Sequence, residues 1–218
     1  MAGDSERLCG STEMASEPQI AVPDVVQRIR KIQGITIAWM SIEAAVSLYS
    51  AWRARSPALL AFGGDSAVEL FSAVVVLWRF RAGSAPERAE RLAARIAGAL
   101  LFALVAYVAL ASAMSLLGYG EPKPTLIGIG VLVVAAALMP WLARQKRRLS
   151  ATTGSAALKA DAAESALCGC LSVIALAGLA VNAIWRLRWA DPVAALIILP
   201  LMIWEGREAM RGKPCACC

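Results

Sequence analysis

Histidine is absent from the 218-residue chain. That removes the commonest neutral metal ligand and the side chain that ordinarily titrates near neutrality. Any metal or proton chemistry must therefore use carboxylates, thiols, backbone carbonyls or water. Other absences narrow the field. There is no HExxH segment, no nucleophile–base pair and no nucleotide-binding loop, which argues against an enzyme and against ATP-driven work. Residues 1–26 contain no apolar run, so they do not read as a cleavable signal peptide. The cysteines Cys9, Cys168, Cys170, Cys215, Cys217 and Cys218 lack the spacing of a secreted disulfide framework. The net charge is +6, but no aromatic–basic surface or nucleic-acid motif accompanies it, so nucleic acid is not an expected partner.

What the chain has is apolar length. It is 59% hydrophobic with mean hydropathy +0.61, too apolar for an ordinary soluble domain. The runs predict an all-α membrane protein of six transmembrane helices, near residues 34–51, 58–78, 96–117, 126–143, 156–185 and 192–204. Residues 1–33 read as a disordered cytoplasmic tail, 34–206 as the membrane domain and 207–218 as a short Cys-rich cytoplasmic tail. Arg53, Arg55, Lys123, Arg186 and Arg188 fall on one side of the bilayer, and every other Lys and Arg on the opposite side or in the tails. The positive-inside rule then puts both termini in the cytoplasm, in a plasma or inner membrane. The basic run RQKRRL, residues 144–149, reads as a loop anchored to anionic headgroups.

The second run, ALLAFGGDSAVELFSAVVVLW, carries Asp65 and Glu69 near its middle. Four residues apart, their carboxylates share one helical face. A carboxylate at that depth costs at least ~2.5 kcal/mol and ordinarily faces a partner, an ion or water. The fifth run, LKADAAESALCGCLS, places Glu164 and Cys168 on one face, with Asp161 close to it and Cys170 turned away. Apposing these helices would bring Asp65, Glu69, Glu164 and Cys168 to one point. Three carboxylates and a thiolate suit zinc or another borderline-soft divalent ion. The same oxygens can take up protons when no ion is present, so one site could alternate between the two. Glu43 in the first run and Asp161 are auxiliary candidates. Cys215, Cys217 and Cys218 form a candidate metal-capture tail.

These segments resemble the cation diffusion facilitator family of metal/proton antiporters. FGGDSAVELFS (residues 62–72) is similar to the family's helix 2 motif, with Asp65 and Glu69 at the ligand positions. ADAAESALC (160–168) is similar to its ADAxHxxSD helix 5 motif, with Glu164 at the His position and Cys168 at the Asp position. Asp191 and Pro192 match the Asp-Pro that opens its last helix. The resemblance spans residues 34 to about 212 and implies six helices, cytoplasmic termini and a site between helices 2 and 5. It also implies a homodimer, in a short form without the C-terminal cytoplasmic domain. The implied function is export of divalent metal, Zn2+ first, from the cytoplasm in exchange for protons. The alternatives are Fe2+, Co2+, Cd2+ or Pb2+ as cargo, or a membrane module that binds a partner without transporting. No resident cofactor is expected.

Overall fold

The computed structural model describes residues 22–82, 87–119, 121–153 and 156–211. They form six helices: α1 (Val22–Ala54), α2 (Pro57–Ala82), α3 (Glu87–Leu116), α4 (Leu126–Thr153), α5 (Ala156–Trp185) and α6 (Ala190–Arg211). Each apolar run falls on one helix, and all but the fifth belong to a helix that continues past the run at one end or both. α1 begins at Val22, so residues 22–33 belong to a helix and not to a tail. The segment 144–149 is likewise helical, being the last part of α4.

Three helices meet the length and hydropathy requirements of a membrane span outright: Arg95–Leu116, Leu126–Thr152 and Asp161–Trp185. The other three carry more charge. Glu43 lies on α1, Asp65 and Glu69 on α2, and Asp191 and Glu205 on α6. Around the outside, Tyr107, Leu110, Val133, Val134, Val173 and Ile197 are exposed. An apolar exterior over a core that contains buried acids suits lipid and not water.

Cross-connections give the bundle its polarity. Lys123 N donates to Ala54 O at 2.8 Å, Asn182 Nδ2 to Pro122 O at 3.0 Å, and Ser56 Oγ to Asp191 Oδ2 at 2.5 Å. The α1–α2, α3–α4 and α5–α6 turns therefore meet at one end. Exposed Trp52, Tyr119, Trp185 and Trp189 ring that end, as aromatic side chains do at a membrane interface. The helices entering it stop alike, with one residue in the left-handed region: Arg55 (φ 51), Gly118 (φ 89) and Arg186 (φ 54). Asp191 also accepts from Ala58 N at 3.2 Å, while Ser56 Oγ accepts from Leu59 N at 3.1 Å. Ser56 is thus the N-cap of α2, Pro57 its first helical residue, and Asp191 a second cap supplied by α6.

α2 is the central helix. It packs against α1, α3, α5 and α6, and Leu59 and Phe62 on it are fully buried with Leu132, Leu171, Leu179, Ile198 and Met202. Gly63 lets it approach α1 closely. A Cβ there would sit 2.7 Å from Ser47 Cβ and 3.0 Å from Leu48 N. Backbone cannot yield as a flexible side chain can, so Gly63→Ala is expected to cost about 1–3 kcal/mol. Gly130→Ala, where nothing lies within 4 Å, serves as the control. Thermal unfolding in detergent reads both. Equal melting temperatures would refute the close α1–α2 contact.

Candidate metal centre

Asp65 and Glu69 lie one turn apart on α2, and both face inward as their spacing predicts. The side chain that joins them comes from α6. Ligand oxygens of Asp65, Glu69 and Glu205 all lie within 4.8 Å of one another. Asp65 is fully buried, Glu205 is buried, and Glu69 is half-buried with Oε1 shielded from solvent. No described residue donates a hydrogen bond to either Asp65 oxygen or to Glu69 Oε1. The Glu205 carboxyl lies within reach of Asp65, and since two ionised carboxylates both only accept, a shared proton or a cation is what can join them. An orphaned buried carboxylate is costly, and three together give a strong local demand for positive charge.

The other expected residues lie around this triad. Glu164 on α5 is half-buried, outside the triad but within the field of Glu205, with Asp161 and Lys146 as its other charged neighbours. Cys168 is fully buried and its thiol is engaged, with Sγ donating to Glu43 Oε1 at 3.3 Å and lying 4.0 Å from Ser66 Oγ. Cys170 is exposed, turned away as its register requires. Glu43 accepts three hydrogen bonds. It takes Ser66 Oγ at 2.6 Å as well as Cys168 on Oε1, and Trp39 Nε1 at 2.5 Å on Oε2. It thereby ties α1 to α2 and α5 beside the triad. Cys215, Cys217 and Cys218 lie outside the described residues.

Toward the end of the bundle opposite the three turns, Lys146 is fully buried. Its Nζ donates to Asp161 Oδ1 at 2.7 Å and to Ser165 Oγ at 2.9 Å. Gln33 Nε2 donates to Asp161 Oδ2 at 2.6 Å. Both oxygens of Asp161 are thus used in joining α1, α4 and α5. This corrects the reading of 144–149 as a headgroup anchor. Arg144, Arg147 and Arg148 are exposed, but Lys146 points inward.

Glu205 and Lys146 are the residues that sequence reading missed, and one signal could have found both. On α6, Asp191, Ala195, Ile198, Met202 and Glu205 recur every three or four residues and are all buried. On α4, Leu132, Ala135, Met139, Leu142, Lys146 and Leu149 do the same. Each charged residue continues a buried stripe beyond the end of its apolar run.

Residues 35–211 match the cation efflux transmembrane domain model. The chain is also similar to the manganese efflux system protein MneS of Bacillus subtilis, at 27% identity over 173 residues. That alignment covers 75% of this chain and 59% of the relative, so the chain matches well under two thirds of that protein's length.

Proposed function

The chain belongs to the cation efflux transmembrane domain family, and from that premise we propose that it exports divalent metal ions across the membrane in exchange for protons. The observation that carries the reading is the α2 pair, Asp65 and Glu69: both oxygens of Asp65 and Oε1 of Glu69 are buried without a hydrogen-bond donor, and the Glu205 carboxyl lies beside them. Such a group can hold a divalent ion or protons, but it is poorly served when it holds neither. Binding one displaces the other, because a metal ion requires deprotonated ligands. That mutual exclusion is the minimal requirement of an antiporter. Glu164, on α5 and within the field of Glu205, is the fourth acid of the site. Cys168, hydrogen-bonded to Glu43, would have to give up that bond to ligate an ion.

The turns gathered at the aromatic-ringed end carry the smaller share of cations, which supports placing that end outside and both termini in the cytoplasm. For the cargo, zinc follows from the ligand set read from sequence, and manganese from the similarity to a manganese efflux protein. The test is the full chain in proteoliposomes with an imposed pH gradient and a panel of Zn2+, Mn2+, Fe2+, Co2+, Cd2+ and Pb2+. Metal flux that follows the pH gradient, with matching proton counterflow, is the expected result. The absence of both for every metal would end the proposal.

A further inference from the structure

We propose that Glu205 of α6 is itself a metal ligand, completing with Asp65 and Glu69 an all-oxygen tricarboxylate site that favours oxygen-preferring divalent ions such as Mn2+ over thiol-preferring ions such as Cd2+. This rests on the export reading for its role in transport, but not for its binding chemistry.

Three observations converge. The first is distance. Three atoms no more than 4.8 Å apart leave a central point about 2.8 Å or less from each, close to the roughly 2.0–2.6 Å that carboxylate oxygens adopt around divalent ions. Small side-chain adjustments suffice to close on an ion. The second is the state of Asp65. It is fully buried, and neither of its oxygens receives a hydrogen bond from a described residue. Lone pairs in that state, facing two further carboxylates, have nothing but a cation or protons to satisfy them. The third is the occupation of the nearby sulfur. The Cys168 thiol donates to Glu43, so it is committed to a carboxylate outside the triad. The ligand atoms left free are oxygens from two helices, α2 and α6. Carboxylates favour hard ions such as manganese, whereas thiolates favour soft ones.

Binding and transport are measured separately. In detergent, Mn2+ binding to the full chain is followed by loss of the free-ion electron paramagnetic resonance signal. Glu205→Gln is expected to weaken binding about tenfold or more, the scale on which even an outer partner's loss weakens a metal site. Glu205→Asp should recover part of it. Glu205→Cys should shift the preference toward Cd2+ in competition with Mn2+, which a merely structural role would not do. Unchanged Mn2+ affinity in Glu205→Gln would overturn the proposal. Should that variant fail to fold, Glu205→Cys decides, and an unaltered Cd2+ to Mn2+ ratio would overturn it equally. Wild-type binding without proteoliposome flux would refute export and leave the site standing. Flux with an unchanged metal ratio in Glu205→Cys would do the reverse.

Discussion

Asp65→Asn is expected to reduce metal-driven proton flux to background while raising the melting temperature of the metal-free protein. The two effects have one cause. Asp65 is fully buried, and its two carboxylate oxygens have no donor. Asparagine keeps the shape, removes the charge and supplies two N–H donors to the neighbouring carboxylates of Glu69 and Glu205. Satisfying buried acceptors is worth about 1–3 kcal/mol, so the variant should unfold later than the wild type. In the proposed mechanism transport needs the charge that has been removed, because that exchange would set a divalent ion against protons on the same oxygens. For the same reason, the wild type's apparent metal affinity should fall as pH is lowered, and metal binding should release protons into weak buffer. A stabilised variant without flux is the signature of a site held at the expense of stability. Normal exchange by Asp65→Asn, with metal and proton fluxes at wild-type rates, would remove the triad from the mechanism.

The second large effect is expected at Asp161. Its carboxylate is the counter-charge of Lys146, which is fully buried, whereas Asp161 itself retains 26% exposure. Asp161→Asn leaves the buried ammonium with the Ser165 hydroxyl and an amide as direct partners, and only the field of Glu164 as counter-charge. Breaking one side of a buried pair costs about 3–5 kcal/mol, and the loss should appear as a sharp drop in melting temperature. Water reaches the Asp161 side, so Lys146→Met alone should cost less. Combining the two removes the stranded charge, and the double variant should be more stable than Asp161→Asn. Strict additivity in this cycle would mean that the pair carries no coupling.

The pattern of success in reading the sequence follows from local signals. Asp65 and Glu69 stand in an otherwise apolar run four residues apart, so both their depth and their shared face are visible from spacing alone. Glu205 is less visible, because Arg207 and Glu208 follow it and give the segment the polarity of a solvated tail; its one local sign is the stripe of Asp191, Ala195, Ile198 and Met202 that leads to it. What buries Glu205 is the packing of α6 against α2, α3 and α5, which is a tertiary fact. Lys146 is hidden in the same way by Arg144, Arg147 and Arg148. Its inward direction depends on Asp161, fifteen residues later on another helix. The pairing of Cys168 with Glu43 joins positions 125 residues apart, and no local pattern encodes it.

The Ser56–Asp191 junction fastens α2 to α6 at one end, while the triad uses the same two helices farther along. Glu205 follows Asp191 by fourteen residues, a lever arm of roughly 21 Å at 1.5 Å per residue. A tilt of ~10° about that fulcrum swings Glu205 by roughly 4 Å, comparable with the 4.8 Å that encloses the three ligand oxygens. Were α6 to rock on its capping aspartate by that much, the three carboxylates would draw together or separate while the Ser56–Asp191 bond held.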